Sequence, residues 1–513
     1  MNANLFALFE SRCRPDATFL ETPSGGRWTY ADMLAVTARY ANALRGAGVE
    51  PGDRVAAQVE KSPEAFCVYL AALRVGAIYL PLNTAYPPAE LEYFLSDARP
   101  AVLLCAPEDL GRKAPLALAS GARACLTLDA AGRGTFADLA AAQPTAFETA
   151  ARAPDDVAAI LYTSGTTGRQ KGAMLTHRNL ASNGEALARL WGFGPGDRLL
   201  HALPIFHAHG LFIAAHCALL SGSAMLFASR FAADEVLGLL PRATVMMGVP
   251  TFYTRLLEQP GLDAAACRGV RLFVSGSAPL LAETTAEFAA RTGHAILERY
   301  GMTEAVVIAS NPLRGERRPG SVGRPVDGVE LRIADAADAP LPPGAVGGVQ
   351  IRGAAVMKGY WRQPERTAEE HTPDGWFRTG DLGILGEDGY LTLVGRAKDL
   401  VITGGFNVYP KEVELAIDAL AGVAESAVVG LPHRDFGEAV TAAVVRSDPA
   451  LDAAAILAAL RDRLAAYKVP KEIHFVDELP RNAMGKVLKT ALREALARAG
   501  SAGAPRRTGN TPR

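Results

Sequence analysis

The chain has 513 residues, 49% of them hydrophobic, and this length exceeds what a single hydrophobic core normally organises. Its 53 lysines and arginines nearly balance 54 aspartates and glutamates, which argues against nucleic acid or an anionic membrane as the main partner. The N-terminus lacks the pattern of a secretory signal, and no apolar run is long enough to span a bilayer. We therefore expect a soluble cytoplasmic protein of two or more domains.

Short apolar runs alternate with helical patterns through the first three hundred residues. Continuous apolar strands that alternate with helices are typical of parallel sheets covered on both faces. The predicted strands are residues 54–59, 77–80, 101–105, 124–128, 158–162, 199–203, 243–248 and 271–276. The pattern predicts a large α/β body that contains more than one such layer.

The pattern changes after residue 320. Between about 320 and 395, short alternating segments separated by Gly and Pro predict distorted antiparallel β structure. Beyond it, strands near 426–430, 439–445 and 472–476 and a helix near 451–466 predict a small α+β domain. We place the N-terminal domain at 1–397, the C-terminal domain at 398–500 and a disordered tail, rich in Gly, Pro, Ser, Thr and Arg, at 501–513.

A loop rich in glycine and hydroxyl groups, residues 163–172, directly follows a predicted apolar strand. Glycines let backbone N–H groups approach a phosphate closely, while the hydroxyls and Lys171 add donors and positive charge. The loop therefore suits a polyphosphate. Because no Gly-Lys-Ser/Thr ends it, the loop does not match that of P-loop kinases or ATPases. The alternative is a flexible solvent-exposed loop.

This loop resembles the signature of the AMP-forming adenylating superfamily, which includes acyl-CoA synthetases, luciferases and peptide-synthetase adenylation domains. The resemblance extends over nearly the whole chain, with further matching segments at 203–210, 275–279, 299–304, 379–382, 395–399 and 480–486. It implies an enzyme that uses ATP and Mg²⁺ to activate a carboxylic acid as an acyl-adenylate and passes the acyl group to coenzyme A. It also implies that the small C-terminal domain rotates between these two steps.

The resemblance assigns roles to individual residues. It implies that residues 163–171 surround the ATP phosphates, that Tyr300 packs on adenine, that Asp381 and Arg396 hold the ribose, and that Lys398 is the hinge. The implied cofactor-binding residues are Thr163, Ser164, Gly165, Thr166, Thr167, Gly168, Lys171, Ser275, Tyr300, Gly301, Met302, Thr303, Asp381, Arg396, Lys398, Gly405 and Lys486. Gly405 belongs to the segment expected beside the CoA pantetheine.

Four residues are expected to act in the chemistry: Lys486, Glu304, Thr163 and His207. The resemblance implies that Glu304 and Thr163 hold Mg²⁺. Lys486 would place its charge on the α-phosphate, where negative charge builds up as the carboxylate attacks. The alternative for Lys486 is a solvated lysine on a loop. Acetylation by a lysine acetyltransferase, reversed by a deacetylase, would remove its charge and switch the enzyme off.

The acid-binding residues are expected to be His207, His209, Arg242, Ser277 and Val307, whose surroundings resemble the malonyl-CoA synthetase branch. A dicarboxylic acid brings a second anion that needs a cation when buried, and we assign that role to Arg242 with Ser277. The alternative is that Arg242 pairs with a surface acid. His207 and His209 lack the partners of a zinc site and are interpreted as pocket walls.

Other substrates and classes stay open. The apolar residues 305–308 would also suit methylmalonate or another short acid, and an aryl acid is a further alternative. A standalone adenylation enzyme that loads a carrier protein shares the same motifs. A non-catalytic nucleotide-binding relative is disfavoured because Glu304, Asp381 and Lys486 are all present.

Overall fold

The computed structural model describes residues 2–163, 170–433, 436–482 and 485–502, with side chains up to residue 498. The chain divides into two compact units. The first comprises Met1–Leu331, Gln350–Arg378 and Asp388–Leu391, and the second comprises Arg332–Val349, Thr379–Glu387 and Thr392–Arg513. The domain boundary at residues 397 and 398 stays a prediction.

The strands follow in chain order. They are β1 (Thr18–Glu21), β2 (Arg27–Thr29), β3 (Arg54–Gln58), β4 (Ile78–Pro81), β5 (Val102–Cys105), β6 (Ala124–Thr127), β7 (Val157–Thr163), β8 (Lys171–Thr176), β9 (Arg198–His201), β10 (Ala224–Phe227), β11 (Val245–Gly248), β12 (Leu272–Ser275), β13 (Leu297–Tyr300), β14 (Ala309–Ser310), β15 (Arg324–Pro325), β16 (Val329–Ala334), β17 (Val346–Gly353), β18 (Gly359–Tyr360), β19 (Phe377–Leu385), β20 (Leu391–Arg396), β21 (Val401–Thr403), β22 (Phe406–Val408), β23 (Val423–His433), β24 (Gly437–Arg446) and β25 (Glu472–Phe475).

The helices lie between these strands. They are α1 (Leu5–Glu10), α2 (Tyr30–Gly46), α3 (Pro63–Val75), α4 (Pro88–Ala98), α5 (Leu110–Ala119), α6 (Thr135–Ala141), α7 (His177–Leu190), α8 (Ala215–Ser221), α9 (Ala233–Leu239), α10 (Pro250–Leu257), α11 (Ala282–Thr292), α12 (Pro364–Glu369), α13 (Pro410–Asp418), α14 (Ala453–Arg461) and α15 (Lys489–Ala502). None of the described helices is long and apolar enough to cross a membrane.

A seven-stranded sheet has the order β18-β8-β7-β4-β3-β5-β6. The pairs β3–β4, β3–β5, β4–β7 and β5–β6 are parallel, whereas β7 and β8 form an antiparallel pair. Every residue of β4 and β5 is buried, as expected for central strands covered on both faces. This sheet confirms the predicted α/β body.

A nine-stranded sheet has the order β15-β14-β13-β12-β11-β9-β10-β1-β2. Strands β9, β11, β12 and β13 run parallel to one another, so their carboxyl ends meet at one edge. Chain segments 202–210, 276–279 and 301–304 leave the sheet at that edge. Ligands of α/β sheets bind outside the carboxyl ends of the strands. The topology thus brings three of the predicted motifs together.

Two smaller sheets lie further along the chain. A four-stranded sheet, β16-β17-β19-β20, occupies the region predicted as β structure, and a second sheet has the order β22-β21-β24-β23 with β25 on β24. The predicted helix 451–466 is shorter than expected: Asp452 caps the N-terminus of α14, which ends at Arg461. The predicted tail 501–513 begins in the last two residues of α15 and otherwise lies outside the described residues.

Candidate active site

The predicted phosphate loop connects two antiparallel strands. Thr163 is the last residue of β7 and Lys171 the first of β8, and the two are Cα partners across the pair. The Lys171 ammonium lies 3.2 Å from Oε1 of Glu370 and 4.2 Å from the centre of the Tyr360 ring. The predicted contacts Ser164, Gly165, Thr166, Thr167 and Gly168 lie outside the described residues.

Glu304 is 7% exposed and lies in the same unit as this loop. The Tyr360 hydroxyl donates to Glu304 Oε1 at 3.0 Å, and the Glu304 carbonyl accepts from the Met357 N–H at 2.7 Å. The Tyr360 contact orients the carboxylate, and the Met357 contact holds the backbone of Glu304 in place. A carboxylate and a hydroxyl are oxygen donors that Mg²⁺ prefers. Glu304 and the predicted Thr163 hydroxyl therefore suit the magnesium ion that accompanies ATP.

The turn after β13 carries the predicted adenine contacts Tyr300, Gly301, Met302 and Thr303. A Cβ at Gly301 would lie 1.9 Å from the Val306 carbonyl oxygen, so a glycine is required for the chain to fold back here. Val306 itself adopts φ +58°, which is unusual for a β-branched residue. The tight turn holds Tyr300 at the carboxyl edge of the nine-stranded sheet.

Three predicted acid-binding residues meet at the same edge. His209 Nδ1 lies 3.2 Å from Ser277 Oγ, and the His209 N–H donates to His207 Nδ1 at 3.2 Å. Burial lowers the pKa of His209 well below its usual value, and the nearby Arg299 charge lowers it further. His209 is therefore neutral at pH 7. Ser277 has φ +73°, so the turn after β12 is tight.

A further buried cation, Arg299, is the third residue of β13 and was not among the predicted site residues. Its side chain is 5% exposed, and its Nε and Nη2 have no hydrogen-bond partner among the described residues. Burial lowers its pKa to about 10, so it keeps its charge at neutral pH. A Cβ at Gly276 would lie 2.4 Å from Arg299 Cζ, which shows that the guanidinium fills the space beside this glycine. The one signal in the sequence was that Arg299 opens the matching segment 299–304.

Two further buried polar atoms lie in the same part of the molecule. Ser275 Oγ and His209 Nε2 have no hydrogen-bond partner among the described residues. Ser275 adjoins Gly276, which contacts Arg299, and the Arg299 charge acts on His209. Unpaired buried polar atoms are costly, so a group of them indicates a place for a polar ligand.

Arg242 does not belong to this group, and its predicted role is wrong. It precedes β11, at the amino edge of the sheet, whereas the other acid-binding residues lie at the carboxyl edge. Its guanidinium pairs with Glu21 and its side chain is 46% exposed. The surface ion pair, left open as the alternative, is what forms. Val307 is fully buried, and its backbone C=O accepts from the Asn183 side chain at 2.8 Å.

The second unit holds another predicted group. Arg396 Nε lies 2.8 Å from Asp381 Oδ1, so the two residues predicted to hold the ribose form an ion pair. Asp381 is 5% exposed. Lys398 lies in the short turn Ala397–Asp399. Gly405 and Gly404 have φ of +84° and +56°, the backbone of a tight hairpin turn between β21 and β22.

Lys486 also lies in the second unit. Its side chain is exposed to solvent, yet the surrounding protein partly desolvates the ammonium group. This desolvation, together with the positive charge of Arg396, lowers the pKa of Lys486 to about 8, although Asp381 opposes the shift. The structure thus places Lys486 within the electrostatic reach of the predicted ribose-binding pair. Its N–H donates to Asn482 Oδ1 at 3.0 Å.

Comparison with known proteins agrees with this arrangement. A family model described as AMP-binding enzyme matches residues 9–361, and one described as AMP-binding enzyme C-terminal domain matches residues 412–486. The chain belongs to the AMP-binding enzyme family. The predictions of an AMP-forming acid–CoA ligase and of ATP, Mg²⁺ and CoA as its cofactor and co-substrates are confirmed.

Individual relatives cover almost the whole chain. The ATP-bound structure of MatB from Rhodopseudomonas palustris is 53% identical, with a TM-score of 0.95, and covers 96% of this chain and 99% of that one. A feruloyl-CoA synthase from an Amycolatopsis species is 38% identical, over 94% of this chain and 96% of the relative. A malonate–CoA ligase from Arabidopsis thaliana is 36% identical, over 88% of this chain and 79% of the relative.

The lowered pKa of Lys486 predicts a pH dependence for this family member. Because the free-enzyme pKa governs kcat/KM, acid-dependent ATP–pyrophosphate exchange should fall as the pH rises through about 8, where Lys486 loses its proton. Lys486→Arg should move this decline to higher pH, because arginine stays protonated. The measurement is kcat/KM for the acid between pH 6 and 10. An unchanged alkaline limb in Lys486→Arg would contradict the assignment.

Proposed function

We propose that this AMP-forming acid–CoA ligase activates malonate, a short dicarboxylic acid, and that Arg299 binds the carboxylate that does not react. The observation that carries the proposal is the buried Arg299 guanidinium, two of whose donor nitrogens lack a partner in the described part of the chain. A buried, unpaired cation is costly, and a bound anion removes that cost. A planar carboxylate accepts two parallel hydrogen bonds from such a guanidinium.

The neighbouring groups support the same ligand. Ser275 Oγ and His209 Nε2 could complete the hydrogen bonds of a carboxylate, because a neutral His209 can donate from Nε2 while its Nδ1 accepts from Ser277. The resemblance to MatB and to the Arabidopsis malonate–CoA ligase favours malonate among dicarboxylic acids. Residues Ala305 to Ile308 are apolar and buried, so the proposal includes methylmalonate as a second substrate.

In the first half-reaction, a malonate carboxylate oxygen attacks the α-phosphorus of ATP, the bond to the β-phosphate breaks, and pyrophosphate leaves. Lys486 stabilises the charge on the α-phosphate, while Tyr300, Asp381 and Arg396 position the nucleotide. Glu304 and Thr163 would hold the Mg²⁺ ion, which would supply positive charge to neutralise the phosphates. His207 lines the acid pocket beside His209. These roles follow from the family resemblance.

In the second half-reaction, the CoA sulfur attacks the acyl carbonyl carbon of the adenylate and AMP leaves with the electron pair of the broken C–O bond; the thiol proton passes to solvent. The proposal includes a rotation of residues 398–500 about Lys398, after which the segment that contains Gly405 meets the pantetheine. The rotation moves Lys486 away from the α-phosphate. The charge of Lys486 is no longer needed there once pyrophosphate has left.

The test is a panel of acids assayed with ATP, Mg²⁺ and CoA: malonate, methylmalonate, sulfoacetate, propionate and ferulate. We expect the highest kcat/KM for malonate and at least about 100-fold less for propionate, because propionate leaves Arg299 unpaired. A preference for ferulate or propionate would overturn the dicarboxylate assignment. Pyrophosphate exchange without any CoA thioester would instead indicate an enzyme that loads a carrier protein.

We also propose that acetylation of Lys486 regulates the enzyme. The exposed side chain is accessible to a lysine acetyltransferase, and acetylation removes the charge that the first half-reaction needs. Enzyme acetylated homogeneously at Lys486 should lose pyrophosphate exchange and regain it after treatment with a deacetylase. Full exchange activity in the acetylated enzyme would exclude this form of regulation.

A further inference from the structure

Lys61 is a buried lysine far in sequence from every motif of the active site. It follows β3 and immediately precedes Ser62, whose side chain caps helix α3. Its ammonium group donates to His201 Nδ1 at 2.9 Å and to the His201 carbonyl at 2.8 Å, and it lies 4.3 Å from the centre of the Phe227 ring. It therefore ties the seven-stranded sheet to the nine-stranded sheet.

The stability of the fold does not explain this lysine. Desolvation of an ammonium group is unfavourable, and a cation at the N-terminus of a helix is also unfavourable. An apolar side chain of similar length would avoid both costs. Burial lowers the pKa of Lys61 well below its usual value, in agreement with the cost of its position. The contact with His201 is the one that requires a hydrogen-bond donor at position 61.

His201 also contacts the chain segment that borders the acid pocket. Because its Nδ1 accepts from Lys61, its Nε2 carries the proton and donates to the Gly210 carbonyl at 2.9 Å. Gly210 is packed so tightly that a Cβ would lie 2.1 Å from the Pro204 carbonyl oxygen. The next residue back along the chain is His209, which contacts Ser277.

We propose that Lys61 is a positioning residue for the acid pocket: through His201 and the Gly210 carbonyl, it fixes the segment that carries His207 and His209, at the start of the π-helix His209–Ala214. The inference rests on the proposed function only in that this segment borders the acid. Lys61 itself touches neither substrate nor nucleotide in this account. Its loss should therefore affect the acid more than ATP.

The test compares four variants by acid-dependent ATP–pyrophosphate exchange, using whichever acid of the panel reacts best. Lys61→Met and His201→Leu should each raise KM for the acid about tenfold or more and change KM for ATP less than about twofold. His201→Gln should stay near wild type, because its side-chain amide can accept from Lys61 and donate to Gly210. The matched control is Arg74→Met, which removes another buried cation of the same unit.

Arg74→Met should lower Tm without changing KM for the acid. The proposal is overturned if Lys61→Met behaves in the same way, or if His201→Leu and His201→Gln have equal KM values. Should Lys61→Met fail to fold, the two His201 variants decide the question alone. Because the assay uses the preferred acid, failure of the malonate assignment leaves this test intact, and the two proposals fail separately.

Discussion

Lys486→Ala is expected to lose acid-dependent pyrophosphate exchange by about 10²- to 10³-fold, the range found when one preorganised donor to a developing negative charge is removed. The reason is that the attacking carboxylate and the α-phosphate are both anions, and a cation must be present when they meet. The same variant should still form the thioester from a supplied acyl-adenylate, because the phosphate leaves in that step. The measurement is the rate of each half-reaction, assayed separately.

The matched control for this variant is Lys489→Ala. Lys489 lies three residues further along and pairs with Glu414, 2.6 Å away. It shares the segment and the charge of Lys486 but has no role in the proposed chemistry. We expect exchange near the wild-type rate for Lys489→Ala. Equal loss of both half-reactions in Lys486→Ala would show a general structural effect and contradict the assignment.

Arg299→Met should lower kcat/KM for malonate about 30- to 1000-fold, which corresponds to a loss of roughly 2–4 kcal/mol of transition-state stabilisation. The reason is that the second carboxylate would be buried without a cation. Propionate should be affected far less, since it has no second anion, and the more apolar pocket could even favour it. Because Nε and Nη2 of Arg299 have no partner among the described residues, the substitution leaves few unpaired acceptors and Tm should change little.

Arg242→Leu is the control that separates the two arginines. Arg242 forms an exposed ion pair with Glu21, and such pairs contribute about 0–1 kcal/mol. We expect kcat/KM for malonate to stay within about twofold of wild type. A large, malonate-specific loss in Arg242→Leu with no effect of Arg299→Met would restore the role first predicted for Arg242.

Much of the fold was accessible from the sequence because its signals are local. The apolar runs that predicted β4 and β5 are strands in which every residue is buried, and the run that predicted β3 contains three buried apolar residues between Arg54 and Gln58. The end of helix α14 was predicted less well. Its start is set by a capping residue, Asp452, which can be recognised, but no equally clear signal marks its end at Arg461.

The two arginines show where sequence reasoning about the site fails. Arg242 adjoins a recognisable motif, but a residue that precedes a parallel strand lies at the amino edge of the sheet, away from ligands. Arg299 resembles an ordinary exposed charge, and its burial depends on the space that Gly276 leaves directly after the neighbouring strand β12. Proximity of this kind comes from tertiary structure, so neither arginine could be assigned from its sequence neighbours alone.

The pKa of Lys486 also depends on tertiary structure. The motif around residues 480–486 identifies the lysine, but the value of about 8 depends on desolvation and on Arg396, ninety residues earlier in the chain. The Tyr360 contact that orients Glu304 likewise joins residues fifty-six positions apart. Sequence motifs named these residues, whereas their electrostatic environment required the folded chain.

The central claim, that Arg299 binds the second carboxylate of a dicarboxylic acid, is tested most directly by a crystal structure of the enzyme with malonate and a non-hydrolysable ATP analogue. We predict the unreacted carboxylate at about 2.7–2.9 Å from Arg299 Nε and Nη2, the distance of a charge-assisted pair. A malonate whose second carboxylate is bound elsewhere, with Arg299 still unpaired, would contradict the account.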